Sequence, residues 1–498
     1  MPRLTRRDFL RAGLTGLAGA ALWPGRAGAA DPTRKMNVLF IAVDDLRPSM
    51  GCYGNRRMQS PHMDALAARG TLFERAYCQQ AVCSPSRTSL LTGRRPDTTR
   101  VYDLETHFRK TIPDVVTLPQ QFMRHGWHTQ GLSKIYHGGL DDKASWSAPH
   151  WTPGRPEAVS ARAKQIMAEQ RKAAFAAGWD GKSKNQRPRG VPVDAPECAD
   201  NALPDGATAD RAIEVLNDVK DLPFFLATGF LKPHLPFIAP KKYWDLYKRD
   251  EFTPADNPYA PKDAPAYAAT SWGELRAYFG MPKQGPVSDD QARELIHGYY
   301  AASSYTDAQI GRVVGELDRL GLRENTVVIL WGDHGWHLGD HGFWCKHTNY
   351  ESAVHAPLLV SAPGRNAARC GALVEFVDIY PSLCELCGVP LAEGLEGTSF
   401  KPLIDDPKRP WKKAVFSQYP RGNPKTGRLM GYSMRTDRHR FVEWRAAKGD
   451  FHEYELYDHA TDPAENVNIA NRPESRALAA ELKRMMDAGW KGAAPEGV

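Results

Sequence analysis

The sequence has few of the features that mark disulfide-rich, membrane-spanning or nucleic-acid-binding proteins. It contains eight cysteines in 498 residues, too few for a dense disulfide framework. The apolar stretch from Ala12 to Trp23 is too short and too rich in glycine for a stable membrane span. No long run of Lys or Arg follows it, so we expect no nucleic-acid partner. The composition also lacks the low hydrophobicity and high charge of disordered chains.

The first 30 residues have the pattern of an export signal. Residues 5–10 read TRRDFL, which resembles a twin-arginine motif, and Ala27-Gly28-Ala29 is an A-x-A cleavage site. We therefore predict a twin-arginine signal peptide at residues 1–30, a twin-arginine translocase as partner, and a periplasmic or secreted protein. Residues 1–29 carry five Arg and one Asp, so their removal leaves about +3 of the formal +7. The alternatives are a basic amphipathic tail and an uncleaved anchor.

Buried strands alternate with helical segments after the leader. The run Asn37–Val43 is apolar throughout, as is typical of a strand covered on both faces. Further strands are predicted at Trp127–Leu132, Pro223–Gly229, Thr326–Trp331 and Leu358–Val360, with helices between them that include 289–320. This alternation predicts an α/β fold in which helices cover both faces of a large, mostly parallel sheet.

The domain plan follows from composition. We predict one catalytic domain over residues 36–405, because the chain turns polar and rich in proline near residues 405–410. A smaller C-terminal α+β subdomain is predicted over residues 406–498. Two irregular stretches, about 141–207 and 250–287, are predicted to be insertions over the sheet, where long loops often shape pockets.

The run Cys83–Arg94, CSPSRTSLLTGR, carries the strongest chemical signal. Pro85 is typical of the first position of a helix, so residues 86–91 are predicted to be helical. Cys83 then lies at a helix N-terminus, where free N–H groups and the helix dipole favour an anion. Arg87, one turn inside, can direct its guanidinium at the same anion.

Acidic residues follow two of the predicted strands. Asp44 and Asp45 come directly after the first strand, and Asp333 and His334 follow the strand Thr326–Trp331. Ligands of open α/β sheets bind in the crevice at these carboxyl ends. Three carboxylates that converge there would repel one another without a cation. Oxygen ligands favour Ca²⁺ or Mg²⁺ over zinc, so we predict a site for a hard divalent metal.

Basic residues follow the other strand ends. Lys134 and His137 come after Trp127–Leu132, His234 comes after Pro223–Gly229, and Lys346 lies beyond the Asp333 loop. Each residue alone is commonly a surface or structural side chain. Their shared position beyond strand carboxyl ends makes them candidates for the same site.

Together these motifs resemble the type I sulfatases of the alkaline phosphatase superfamily, and among them most resemble the iduronate-2-sulfatases. The matching segments are NVLFIAVDDLRPSMGCYG (37–54), AVCSPSRTSLLTGRRPDTTRVYD (81–103), KPHLPF (232–237), DHGWHLGDHGFWCK (333–346), SQYPR (417–421) and MGYSMRT (430–436). The resemblance implies an alkaline phosphatase-like fold and conversion of Cys83 to formylglycine by a formylglycine-generating enzyme. It also implies one Ca²⁺, with Asp44, Asp45, Cys83 (as formylglycine), Asp333 and His334 as ligands.

The same resemblance implies roles for individual side chains. Lys134, Lys346 and Arg87 would stabilise developing negative charge. His234 would protonate the leaving oxygen, and His137 would accept a proton when sulfate is expelled. The substrate-binding residues would be Arg47, Trp336 and Arg428, with Arg428 facing a uronate carboxylate. The implied activity is removal of 2-O-sulfate from hexuronate in a sulfated polysaccharide, as in glycosaminoglycan degradation.

Several alternatives stay open at the level of sequence. The chain could act on another sulfated sugar or a small sulfate ester, or hydrolyse phosphonates or phosphodiesters with the same formylglycine. It could also be a silent carbohydrate-binding protein in which Cys83 stays a thiol. Cys384 and Cys387 form a C-x-x-C on an apparently amphipathic helix, with no second pair and no cluster of histidines, so we predict structural thiols.

Overall fold

A seven-stranded sheet forms the centre of the computed structural model, which describes residues 35–154, 159–183, 187–423 and 427–496. Its strands, in spatial order, are β3 (His128–Ser133), β5 (Phe224–Phe230), β1 (Asn37–Val43), β7 (Thr326–Gly332), β8 (Leu358–Ser361), β2 (Thr71–Tyr77) and β9 (Ala368–Glu375). Within this sheet only β8 runs antiparallel to its neighbours. The predicted mostly parallel α/β sheet is therefore confirmed.

Helices cover both faces of the sheet because successive side chains of the central strands point to opposite sides. Phe40 and Ala42 of β1 lie in one apolar layer, and Leu39 and Ile41 lie in the other. The first layer contains α2 (Cys83–Thr92), α4 (Leu118–Arg124) and α11 (Ile379–Leu386). The second contains α1 (Pro61–Ala67), α6 (Pro204–Val219) and the long α9 (Asp289–Arg319).

The remaining helices are mostly short. They are α3 (Pro96–Thr99), α5 (Ala161–Ala176), α7 (Lys241–Trp244), α8 (Gly273–Arg276), α10 (Glu351–Val354), α12 (Lys401–Asp405) and α13 (Arg476–Gly492). No helix in the described ranges is long and apolar enough to cross a membrane. The predicted export signal lies outside the described residues.

The two predicted insertions pack near the carboxyl ends of the central strands. The first carries α5 and the short strand β4 (Val193–Asp194), which pairs in parallel with β6 (Phe237–Ile238). The second carries α8, and its Trp272 and Leu275 join an apolar cluster that includes Trp336 and Trp344. Both insertions are thus held close to the ends of β5 and β7.

The C-terminal part forms an antiparallel sheet of four strands, as an α+β subdomain would. They are β10 (Ala414–Asn423), β11 (Gly427–Thr436), β12 (His439–Ala446) and β13 (His452–Asp458). Helix α13 covers one face, where Leu482 and Met486 join the apolar cluster formed by β10–β13. Gln418 N donates to Gln79 O at 2.8 Å, so β10 lies against the loop that leads to Cys83. The boundary after residue 405 stays a prediction.

Candidate active site

The candidate site lies where four adjacent parallel strands end. Asp44 and Asp45 follow β1, and Asp333 follows β7. Lys134 follows β3, and His234 lies a few residues beyond β5. Because β3, β5, β1 and β7 are neighbours with one direction, their carboxyl ends bring these side chains to one edge of the sheet.

Cys83 is the first residue of α2, so Pro85 is the third helical residue rather than the first. The shift is tolerated because the first four N–H groups of a helix have no partner within the helix. Cys83 is 2% exposed, and its Sγ lies 3.4 Å from His334 Nε2. His334 Nδ1 lies 3.0 Å from the Gly335 carbonyl, and burial lowers the pKa of His334. A neutral ring that donates from Nδ1 turns its Nε2 lone pair toward Cys83.

Arg87 holds two acidic side chains in place. Its Nε donates to Asp333 Oδ2 at 2.9 Å, and its Nη2 donates to Asp44 Oδ1 at 3.1 Å. Nη1 donates to the carbonyls of Lys134 and Ile135. The guanidinium is fully buried, so these contacts orient the carboxylates. Its predicted direct stabilisation of substrate charge stays a prediction.

Asp45 has a left-handed backbone conformation. Its φ is 61°, in the left-handed region, and its N–H donates to Asp333 Oδ1 at 3.0 Å. Its carboxylate lies 3.0 and 3.1 Å from Lys346 Nζ. Burial raises the pKa of Asp45 well above its usual value, and nearby carboxylates add to the rise although Lys346 opposes it. The positive charge of Lys346 is therefore too small to offset the burial of an ionised Asp45 and its repulsion by nearby carboxylates.

Asp44 is the partner of Lys134. Its Oδ2 lies 3.3 Å from Lys134 Nζ and forms no hydrogen bond with any described residue. Burial alone would raise the pKa of Asp44, but Lys134 and Arg87 together hold it well below its usual value. Asp44 is thus an ionised carboxylate with a buried oxygen free to bind a cation.

The donor set fits a divalent metal. One ligand atom each from Asp44, Asp45, Cys83 and His334 lies within 4.8 Å of the other three. The site contains four buried or largely buried carboxylates, and these are Asp44, Asp45, Asp333 and Glu274. Three cations pair with them, and these are Arg87, Lys134 and Lys346. With neutral histidines, one net negative charge is left. A divalent cation would reverse that balance to one positive charge, which suits a singly charged sulfate ester.

His137 lies beside Lys134. Its Nδ1 is 3.3 Å from Lys134 Nζ. Burial and the charge of Lys134 lower the pKa of His137 to about 3. The ring is therefore neutral at physiological pH and able to accept a proton, as its predicted role requires.

Glu274 lies in the site although no sequence pattern predicts it there. It lies on the four-residue helix α8 in the second insertion, where neither a motif nor a strand end marks it. Its Oε2 is 3.0 Å from Lys346 Nζ, and its Oε1 is 3.2 Å from His234 Nε2. Lys346 and His234 hold the pKa of Glu274 below its usual range even though burial opposes them.

Glu274 also gives His234 a second acceptor. His234 Nδ1 lies 2.6 Å from the Leu235 carbonyl, so each ring nitrogen faces an oxygen. Burial and Lys346 lower the pKa of His234 to about 4, and Glu274 acts against them. Glu274 therefore favours the form of His234 that carries a proton on Nε2, which a proton donor needs.

The three predicted substrate-binding residues lie in different surroundings. Arg47 pairs with Asp340 at 2.9 Å, and both side chains are 25% exposed. Trp336 is fully buried beneath Lys346, whose Nζ lies 4.8 Å from the ring centroid, so Trp336 supports Lys346 from the core. Arg428 is exposed on β11, and its guanidinium lies 5.3 Å from the ring centroid of Tyr102. Substrate contact by these residues stays a prediction.

The eight cysteines are all free thiols. Cys384 lies on α11, and burial raises its pKa to about 12. Cys384 and Cys387 therefore match the predicted structural thiols.

Comparisons with known proteins identify the family of the chain. The sulfatase family model matches residues 36–389, and the model for the C-terminal part of N-sulphoglucosamine sulphohydrolase matches residues 339–491. The chain belongs to the sulfatase family. It is 33% identical to iduronate 2-sulfatase from Homo sapiens, over 94% of this chain and 97% of that protein. The predicted enzyme class is thereby confirmed, and this sulfatase hydrolyses sulfate esters.

Solved structures with the same fold include enzymes for different substrates. BT4656 in complex with its substrate D-glucosamine-2-N,6-O-disulfate aligns with a TM-score of 0.72 at 21% identity, covering 92% of this sulfatase and 98% of that chain. The phosphonate monoester hydrolase of Agrobacterium radiobacter aligns with a TM-score of 0.71 at 21% identity, covering 91% and 95%. These likenesses confirm the alkaline phosphatase-like fold and leave substrate choice to the residues of the site.

The raised pKa of Asp45 leads to a prediction for the metal-free sulfatase. Asp45→Asn should not lower its melting temperature in a chelator, because an ionised carboxylate at this buried position is unfavourable when no metal is bound. Lys346 would also keep its ion pair with Glu274 in this variant. Asparagine also tolerates a positive φ. The variant should lack the stabilisation that bound Ca²⁺ would give the wild type, which is about 2.7 kcal/mol at 100 times the dissociation constant. Thermal unfolding with and without Ca²⁺ measures both effects.

The matched control is Asp340→Asn, which removes a carboxylate from the Arg47 pair and leaves the carboxylate cluster intact. It should lose about 1.5 kcal/mol of metal-free stability, the lower end of the range for a hydrogen bond to a charged group, and its stabilisation by Ca²⁺ should be unchanged. A normal Ca²⁺ response in Asp45→Asn would place the metal elsewhere.

A second prediction concerns Glu274. Glu274→Gln should reduce kcat for a sulfated sugar by about 10- to 100-fold, because His234 loses its charged partner but remains in the site. That loss is smaller than the roughly 10²–10⁴-fold that a general acid contributes as a whole. A nitrophenyl sulfate has a leaving group that needs no proton, so its kcat should fall by less than about threefold. Steady-state kinetics with both substrates test this, and exposed Glu251→Gln is the control. Equal losses on both substrates would show that Glu274 acts on the sulfate-binding charges and not through His234.

Proposed function

We propose that this sulfatase removes the 2-O-sulfate of a hexuronate in a sulfated polysaccharide, with a formylglycine at position 83 and one Ca²⁺. The observation that carries the proposal is the convergence of Cys83 with Asp44, Asp45 and His334 at the head of α2. The similarity to human iduronate 2-sulfatase over nearly the whole chain supports the substrate class.

The surrounding charges suit an anionic substrate. The pKa of Lys346 is raised well above its usual value, because Asp45 and Glu274 outweigh the effect of burial. The pKa of Lys134 is also raised, since Asp44 outweighs burial. Both ammonium groups stay charged and preorganised where negative charge develops on the sulfuryl group. A bound Ca²⁺ would supply further stabilisation of the sulfate oxygens as a Lewis acid.

Two proton transfers are assigned to histidines of this chain. A formylglycine hydrate would supply one oxygen to attack sulfur and a second hydroxyl whose deprotonation lets sulfate leave. His234, when protonated, would hold the Nε2 proton against Glu274 and give it to the departing sugar oxygen. His137, which is neutral beside Lys134, would accept the proton of the hydrate hydroxyl. A protonated His234 and a neutral His137 would let one site supply both an acid and a base.

The proposal includes two partner proteins and a location. A formylglycine-generating enzyme would convert Cys83, and a twin-arginine translocase would export the protein to the periplasm or beyond. Twin-arginine transport carries folded proteins, and folding with eight free thiols before export is consistent with that route.

Maturation is tested by co-expression with a formylglycine-generating enzyme. Mass spectrometry of the Cys83 peptide should show an aldehyde in place of the thiol. The matured protein should release sulfate from a 2-O-sulfated iduronate disaccharide faster than from a 6-O-sulfated glucosamine. Cys83→Ala should fold and show no turnover, whereas Cys198→Ala, outside the site, should remain active. Full activity with an unmodified thiol would refute the nucleophile, and preference for the glucosamine would refute the substrate.

Carboxylate recognition is tested at Arg428. Arg428→Ala should reduce kcat/KM for the sulfated uronate by roughly 1.5–3 kcal/mol, the scale of a charged hydrogen bond, because bidentate contacts to the carboxylate are lost. A small uncharged aryl sulfate should be affected little. Arg472→Ala is the control, since Arg472 is also exposed. Equal losses on both substrates, or none on either, would exclude Arg428 from carboxylate binding.

A further inference from the structure

A basic groove of about 870 Å³ opens beside the active site. One wall is formed by α5 and by residues 187–191, and the other by residues 234–238 with Tyr278. We propose that this groove binds the sugars that continue the sulfated chain beyond the residue whose sulfate is cleaved. This inference rests on the proposed function, because it requires a polysulfated substrate.

The groove carries positive charge that no carboxylate of the described residues pairs with. Four basic side chains line it, and none of its lining residues is acidic: the four are Lys164, Arg171, Arg187 and Arg189. All four are exposed, and none forms an ion pair with a described residue. Exposed arginines elsewhere, such as Arg211 and Arg312, do have carboxylate partners. A cluster of unpaired like charges repels itself, so a polyanion bound there would relieve the repulsion.

The wall of the groove is held in a defined position. Ala163 and Ile166 bury one side of α5. Gly190 N donates to Gln170 Oε1 on α5 at 2.9 Å, and Phe279 N donates to Gly190 O at 2.8 Å. These bonds tie the segment with Arg187 and Arg189 to α5 on one side and to the second insertion on the other. The cations are thus carried by an ordered surface, which lowers the entropic cost of binding.

The groove is continuous with the reaction site through His234. This residue lines the groove, and its Nε2 points to Glu274 and lies 3.8 Å from Asp45 Oδ2. Since His234 is the donor to the leaving sugar oxygen, the groove begins on the side of the leaving group. That position favours the remainder of the substrate over a separate macromolecule. Arginine also suits the ligand, because its planar fork binds sulfate and carboxylate oxygens in pairs.

The test compares substrate lengths on two matched triple variants. The matured wild type is assayed with a 2-O-sulfated disaccharide and with a hexasaccharide of the same repeat. The groove variant is Arg171→Ala, Arg187→Ala and Arg189→Ala. The control variant is Arg162→Ala, Lys172→Ala and Lys182→Ala, which removes three exposed charges outside the groove. Binding of both sulfated oligosaccharides and of an unsulfated uronic-acid hexasaccharide is measured on Cys83→Ala.

The wild type should prefer the hexasaccharide in kcat/KM. In the groove variant, the ratio of kcat/KM for the hexasaccharide to that for the disaccharide should fall about tenfold, because three exposed cations each contribute a modest amount. In the control variant, this ratio should fall less than about twofold. The wild-type ratio should fall with added salt, because exposed charges are screened. That measurement also tests the groove if the triple variant does not fold.

Three results would overturn the inference. The first is an equal kcat/KM for the disaccharide and the hexasaccharide, provided that the disaccharide is hydrolysed. The second is an equal fall of the hexasaccharide-to-disaccharide ratio in the groove variant and the control variant. The third is equal binding of the unsulfated hexasaccharide, which would mean that sulfate is not what the groove recognises. Absence of turnover of any sulfated uronate, while another sulfate ester is hydrolysed, would instead refute the proposed function.

Discussion

The mutual repulsion of buried carboxylates is the constraint on which the rest of the site depends. Asp44, Asp45 and Asp333 converge because β1 and β7 are adjacent and end at the same edge of the sheet. Three buried cations offset much of this negative charge. Arg87 and Lys134 form ion pairs with Asp44, and Lys346 forms one with Asp45. The opposite directions of the pKa shifts of Asp44 and Asp45 show that the compensation is uneven. A divalent cation would complete it and leave a positive balance that suits a sulfate ester.

The reaction chemistry and the choice of substrate come from different parts of the chain. The parallel sheet and α2 supply the carboxylates, Cys83 and the charged lysine Lys134. The two insertions supply Glu274 and the cations of the basic groove. BT4656 and the phosphonate monoester hydrolase share this fold but act on different substrates, so specificity is expected in such insertions.

Much of the fold and the reacting core could be predicted because burial leaves a clear pattern. The central strands β1, β5 and β7 are nearly continuous apolar runs, and α9 was predicted to within one residue of its observed end. Strands β2 and β9 were not predicted, because Glu74, Arg75 and Arg369 interrupt their apolar pattern near the edge of the sheet. Glu274 has no periodic or motif signal, since a four-residue helix is positioned by tertiary packing alone. Burial places Trp336 beneath Lys346, and its predicted contact with substrate stays a prediction.

We propose that the cluster with Asp44 and Asp45 binds one hard divalent cation. Elemental analysis of the full chain, purified without added metal and again after chelation, tests it most directly. We expect one bound Ca²⁺ for each chain. Chelation should remove the Ca²⁺ and abolish activity, and added Ca²⁺ should restore both. Stoichiometric zinc without Ca²⁺ or Mg²⁺, or full activity in a metal-free protein, would contradict it.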